Sequence, residues 1–139
     1  VHFEDGTSGE FDAIVYATGY NITFPFFDPD FISAPDNQIR LYKRMFAPGI
    51  DNLVFIGSAQ AIPTLFPFVE CQSRLLAAYA VGRYMLPPVA EMQRTIDADQ
   101  QLHAGHCVDR PRHTQQVDYF YYEHDLRTRE LPAGLRRAG

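Results

Sequence analysis

Phe11-Asp12-Ala13-Ile14-Val15-Tyr16-Ala17-Thr18-Gly19-Tyr20 is the stretch on which the reading of the fold turns. Ala13 to Ala17 are small, β-branched or aromatic and carry no charge, the pattern of a strand covered on both faces. Asp12 stands at its start and Thr18-Gly19 ends it. Glycine at that point lets the backbone turn sharply or approach a ligand closely. In open α/β sheets, ligands bind just beyond the carboxyl ends of the strands. Thr18, Gly19 and Tyr20 are therefore candidate ligand-facing residues. The plainer reading is a strand that simply ends at a glycine turn.

Upstream, Val1 to Glu4 reads as a short strand and Asp5 to Glu10 as the turn that pairs it with Phe11–Ala17, antiparallel. Gly6-Thr7-Ser8-Gly9 lacks the lysine of a phosphate-binding loop and lies between two strand patterns, so it reads as a hairpin turn. Downstream, Asn21 to Asp36 holds three prolines and Phe24, Phe26, Phe27 and Phe31. Proline this dense forbids a regular element, and the phenylalanines predict a loop packed onto the body. Gln38 to Met45 is a further candidate strand, and Pro48-Gly49 turns the chain.

Asn52-Leu53-Val54-Phe55-Ile56-Gly57 repeats the grammar of the opening stretch: an uncharged β-branched and aromatic run closed by glycine. Ser58, Ala59 and Gln60 follow where a ligand-facing loop belongs. A helix is predicted from about Pro67 or Phe68 to Leu86, apolar nearly all round and hence buried, with proline suited to its first turn. Its polar residues Glu70, Gln72, Ser73 and Arg74 gather at its start, and Pro87-Pro88 stops it. Val89 to Leu102 reads as a more exposed helix, His103 to Thr114 as a polar loop, Gln115 to Leu131 as a last helix and Pro132 to Gly139 as a frayed basic tail.

At 139 residues the chain is long enough for one real core, and 46% hydrophobic with 21% charged residues marks it as globular. A net charge of −5 without any basic stripe gives no nucleic-acid face. The longest apolar run, Leu75 to Gly82, is far short of the roughly 20 residues that cross a bilayer, and no signal peptide is recognisable. Cys71 and Cys107 lack a framework spacing, so free thiols in a reducing, cytoplasmic compartment are expected. His103, His106, Cys107 and His113 depart from finger and ribbon spacings; a polar loop is the default and no metal is assigned. Tyr119 to Tyr122 lack basic neighbours and read as core or interface rather than as a base-stacking platform. The chain opens on Val1 inside a strand pattern and reads as part of something longer.

Asp12 to Tyr20 resembles the D-x-[VI]-[VI]-x-A-T-G-Y stretch of flavin-containing monooxygenases. Phe24-Pro25-Phe26 follows as in that family, and Leu41-Tyr42-Lys43 resembles its L-Y-K segment. Asn52 to Gly57 with Gln60 resembles L-x-x-I-G-x-x-Q. Phe66-Pro67 with Glu70-Cys71-Gln72-Ser73-Arg74 resembles F-P-x-x-E-x-Q-[AS]-R, and Val117-Asp118-Tyr119 resembles a V-D-Y near the family's C-terminus. The motifs occur in order at plausible spacing over most of the chain.

The resemblance implies an α/β fold: residues 1–86 as the C-terminal part of a Rossmann-like FAD-binding domain, few strands plus a buried helix, and 87–139 as a helical C-terminal extension. It implies FAD and NADPH as cofactors, and transfer of an oxygen atom from O2 to an amine nitrogen or a sulfide sulfur. It places Gly57, Ser58 and Gln60 beside the isoalloxazine ring, and Thr18, Gly19 and Tyr20 where the chain re-enters the FAD domain. The dinucleotide fingerprints of relatives are absent from this sequence, so no residue is assigned to the FAD pyrophosphate or to NADPH. No protein nucleophile or acid–base dyad is required, and none is assigned. Two alternatives remain open: another FAD/NAD(P)H oxidoreductase of the same fold, and a non-catalytic module when the chain stands alone, binding FAD poorly.

Overall fold

Leu41 to Phe46 forms a tight hairpin at the centre of the structure, a computed structural model that describes residues 1–104 and 115–139, with the side chains of 102–104 left aside. Tyr42 N–H donates to the Phe46 carbonyl at 2.8 Å and Met45 N–H to the Tyr42 carbonyl at 3.0 Å. The two turn residues, Lys43 (φ 49°) and Arg44 (φ 56°), are both left-handed. That pairing matches the right-handed twist of a hairpin, at a cost of about 1–2 kcal/mol per residue that carries a Cβ. Burial offsets it: Tyr42, Met45 and Phe46 are all within the main core.

The candidate strands on either side of this hairpin shrink to single bridges, Tyr42 with Phe46 and Phe46 with Val54. The left-handed pair and the Ala47–Ile50 turn curl the chain before a ladder can lengthen. The sheet that does form lies elsewhere. β1 (Gln60–Ile62) runs parallel to β2 (Gln116–Asp118), with Gln60 opposite Gln116, Ala61 opposite Val117 and Ile62 opposite Asp118. Both segments were expected in other states, β1 as loop and β2 as helix.

α1 (Phe66–Ala80) begins as the sequence predicts, with proline in its first turn. It stops six residues before Leu86. Gly82 (φ 72°) donates to the Tyr79 carbonyl and Arg83 N–H to the Ala78 carbonyl, a glycine-terminated helix end. Only one face of α1 is buried: Phe68, Gln72 and Leu75 point inward, whereas Phe66 and Val81 are exposed, so the expectation of a helix buried all round is corrected. α2 (Val89–Ala104) follows the Pro87-Pro88 stop and turns Met92 and Ile96 to the core. α3 (Tyr119–Asp125) is capped by Asp118, whose carboxylate accepts the Tyr121 N–H at 3.0 Å. A π-helical turn, Leu126–Glu130, continues it into α4 (Leu131–Ala138).

The expected frayed tail is thus a helix. Pro132 suits its first turn, Arg136 and Arg137 its last, and Gly134 is buried. One hydrophobic core draws on both halves of the chain: Phe46, Phe68 and Tyr84 pack with Met92, Val117, Tyr122 and Leu126. A smaller cluster of Ile39, Leu41 and Ala47 receives Ile22, Phe24 and Ile32 from the proline-rich loop, which packs on the body as expected. Phe24 meets Phe55 edge-on at 5.6 Å.

Phe11–Ala17 is the largest departure. It forms no strand: Val1 to Gly9 closes on itself through a bridge between His2 and Ser8, and Phe11 to Tyr20 is irregular. Val15 is 89% exposed and Tyr16 81%. A strand apolar on both faces needs a neighbour on each edge and a layer on each side. Among the described residues, nothing supplies them.

Candidate functional site

The loop from Gly57 to Gln60 is built from three directions. Leu53 to Ile56 brings the chain in beside the hairpin, Phe55 N–H donating to the Met45 carbonyl at 2.8 Å. Gly57 turns it with φ 70°, and a Cβ there would also press on Val69 Cγ2 at 3.3 Å. Both observations call for glycine at this position. Ala59 is buried, and Gln60 opens β1 with its side chain exposed.

Behind the loop stands Gln72 of α1, with no exposed surface. Its Oε1 accepts the Gly57 N–H at 2.9 Å. Its Nε2 donates to the Tyr122 hydroxyl oxygen at 3.2 Å and to the Arg44 carbonyl at 3.4 Å. Ser58 Oγ donates to the same Arg44 carbonyl at 3.2 Å, and Tyr122 OH donates to the Lys43 carbonyl at 2.6 Å. The left-handed hairpin, the Gly57 turn, α1 and α3 therefore meet in one buried hydrogen-bonded knot. Burial pushes the Tyr122 phenol well above its ordinary range. Cys71, beside Gln72, is half-buried; its thiol donates to the Phe68 carbonyl at 3.1 Å and burial pushes it up to about 11. Such an environment holds the thiol in its protonated form at neutral pH.

α1 begins at Phe66, after β1 and a short connection. Leu65 at the cap makes no side-chain hydrogen bond to it, so the first N–H groups and the positive end of the dipole are left for another acceptor. Glu70 pairs instead with Arg74 one turn on, at 2.6 Å.

Thr18, Gly19 and Tyr20 lie apart from this loop. Among the described residues no hydrogen bond, ion pair or ring contact joins the two sets. Gly19 is left-handed at φ 96° with open space where a Cβ would be, and Tyr20 is 97% exposed. The segment is tethered through Asn37, whose Nδ2 donates to the Tyr20 carbonyl at 3.3 Å and whose Oδ1 accepts the Ile22 N–H at 2.7 Å.

Two features were not singled out from the sequence. Gln72 is the first; a polar residue on the stripe Phe68, Gln72, Leu75 was the available signal. The second is Glu130, 7% exposed, which accepts Tyr42 OH at 2.5 Å, Tyr84 OH at 2.6 Å and Arg137 Nη2 at 2.7 Å. Burial and the neighbouring carboxylate push both phenols up. The spacing Tyr122, Leu126, Glu130, Gly134 marks one buried face.

His103, His106, Cys107 and His113 lie outside the described side chains. Among the described residues, no group of three or more His, Cys, Asp or Glu is placed to hold a metal. No helix among them is long and apolar enough to cross a membrane.

The family model of flavin-binding monooxygenase-like proteins matches residues 1–130. Flavin-containing monooxygenase 5 of Oryctolagus cuniculus is 36% identical over 120 residues, 84% of this chain and 22% of that protein. Flavin-containing monooxygenase 3 of Macaca mulatta is 33% identical over 127 residues, 89% of this chain and 24% of that protein. Dimethylaniline monooxygenase 2 (N-oxide-forming) of Rattus norvegicus is 40% identical over 99 residues, 69% of this chain and 18% of that protein. The chain thus spans about a fifth of the length of these curated relatives. With nearly its whole length inside the family match, the chain belongs to the flavin-binding monooxygenase-like family.

Proposed function

We propose that this chain is the C-terminal part of an FAD- and NADPH-dependent monooxygenase that passes one oxygen atom of O2 to an amine nitrogen or a sulfide sulfur. On this reading residues 1–86 complete a Rossmann-like FAD domain and residues 87–139 extend it. The observation that carries the proposal is the left-handed Gly57 turn, held by Gln72 and packed on Val69 of a 15-residue helix whose N-terminus has no side-chain cap. The residues present suit a flavin ring edge. Gly57 shapes the turn that presents Gln60, the Gln60 amide offers a donor and an acceptor, and a helix N-terminus favours the negative charge of a reduced flavin.

In such enzymes the cofactor supplies the redox chemistry, and the protein supplies binding, orientation and exclusion of water. Gly57 shapes the loop, Ser58 tethers it to Arg44, and Gln60 reaches toward the ring. Thr18, Gly19 and Tyr20 shape the backbone where the chain returns to the FAD domain. None of these residues acts as nucleophile, acid or base.

The test uses the full-length protein that contains this chain. It is expected to bind FAD and to consume NADPH faster when a tertiary amine or a sulfide is added. A protein that purifies without flavin and gains none on incubation removes the proposal.

A further inference from the structure

We infer that Gln72 is a positioning residue for the flavin-facing loop: its buried amide locks the Gly57 turn to the left-handed Lys43-Arg44 hairpin, and so aims Gln60. The inference rests on the reading of Gly57–Gln60 given above and assigns to α1 a part in it that is separate from its dipole.

A fully buried amide is costly unless its polar atoms are bonded. At position 72, between Phe68 and Leu75 on the core face, an apolar residue would pack without that cost. What glutamine offers is one acceptor and one donor group in a single plane. The two turns need both. Gly57 presents an N–H and Arg44 a carbonyl, and Gln72 takes the first at 2.9 Å and serves the second at 3.4 Å. Ser58 Oγ adds a second donor to the Arg44 carbonyl, and Tyr122 OH holds the adjoining Lys43 carbonyl. Both turns are left-handed, the hairpin at residues other than glycine, so their shape has to be held by such bonds.

One consequence concerns the ligand. With the Gly57 N–H turned inward to Gln72 and the Ser58 hydroxyl spent on Arg44, neither is left to face a ring. Gln60, whose side chain has no hydrogen bond among the described residues, becomes the contacting group of the three. The knot also ties the loop to α3 through Tyr122, so the C-terminal extension takes part in setting the loop.

The test compares Gln72→Leu and Gln72→Glu with Tyr84→Phe in the full-length flavoprotein, reading FAD affinity, the visible absorption of bound flavin and the melting temperature. Tyr84→Phe removes one hydroxyl from the Glu130 cluster but no hydrogen bond to Gln72, Gly57 or Arg44, and controls for lost stability. Gln72→Leu leaves the Gly57 N–H buried without a partner and is expected to weaken FAD binding about tenfold and to shift the flavin band. Gln72→Glu keeps an acceptor for Gly57 but sets a carboxylate oxygen against the Arg44 carbonyl. It is expected to shift the same band, and it carries the test if Gln72→Leu does not fold. Tyr84→Phe is expected to lower melting while leaving affinity within about twofold. The inference is overturned if the Gln72 variants leave affinity and spectrum unchanged, or if Tyr84→Phe moves them equally. Gln60→Ala separates the two readings. A flavin spectrum that ignores Gln60→Ala removes the flavin-facing loop and this inference with it. A spectrum that responds to Gln60→Ala but not to Gln72 removes this inference alone.

Discussion

Gly134 lies flat against Tyr84: a Cβ built at Gly134 would stand 2.0 Å from Tyr84 Cδ2, and Met85 N–H donates to the Gly134 carbonyl at 3.1 Å. The ring cannot yield easily, because Tyr84 is buried and its hydroxyl is bound to Glu130. Gly134→Ala is therefore expected to destabilise the protein by about 1–3 kcal/mol, the range of overpacked cores, although alanine is the better helix former. Thermal or urea unfolding reads the loss; a neutral or stabilising result contradicts the contact.

Glu130 gathers three donors from three parts of the chain, Tyr42, Tyr84 and Arg137. Glu130→Ala removes their common acceptor and leaves two buried phenol hydroxyls without it. The expected loss is about 2–5 kcal/mol, from those two unsatisfied groups. Glu130→Gln, which retains one acceptor oxygen, is expected to fall between the two. Melting of both variants at the parent temperature would show that the hydroxyls do not depend on this residue.

Ion pairs in this chain differ by burial, and the difference is measurable. Lys43 Nζ meets Asp125 at 2.7 Å with both side chains mostly covered, whereas Arg74 and Glu70 meet at 2.6 Å in open solvent. Asp125→Ala is expected to cost about 1.5–3 kcal/mol and to do so at high salt as well. Glu70→Ala is expected to stay within about 0.5 kcal/mol, with any effect lost in salt.

Alkaline pH is the direction in which the fold weakens. Cys71, Tyr42, Tyr84 and Tyr122 all have their acidity suppressed on folding, chiefly by burial. Groups whose folded pKa lies above the unfolded value lend stability that is complete below the unfolded value and fades as pH rises toward the folded one. For the thiol that window runs from 9.0 to about 11, and for the phenols it opens at 10.0. Circular dichroism is expected to hold steady to about pH 9 and then fall cooperatively. Peptide mapping after alkylation at pH 8 is expected to show Cys71 reacting about 100-fold more slowly than an ordinary thiol. Rapid labelling there would contradict the burial.

Local signals survived into the fold where a single residue type sufficed. Proline in the first turn of α1, the Pro87-Pro88 stop and the packing of the Asn21–Asp36 loop onto the body through Phe24 were all legible. The candidate strands were not, because an apolar extended run states that it needs cover without stating where the cover is. Gly82 ended α1 earlier than its apolar pattern suggested, since a left-handed glycine end outweighs continued hydrophobicity. At the candidate site, the uncharged run closed by glycine marked the left-handed turn at Gly57. Gln72 and Glu130 escaped because their partners are remote in sequence: Tyr122 lies 50 residues from Gln72, and Tyr42 lies 88 from Glu130.

The exposed run from Phe11 to Tyr20 also sets how the chain meets proteases. Its backbone makes almost no hydrogen bond, its aromatic residues are open to solvent, and the first Lys or Arg of the chain is Arg40. An enzyme that cuts after basic residues has no purchase on this segment, whereas one that cuts after aromatic residues finds Phe11, Tyr16 and Tyr20 exposed on irregular backbone. Covering the run with neighbouring strands would close all three positions together, so the rate of chymotryptic cleavage at Tyr16 becomes a direct gauge of whether such cover is in place.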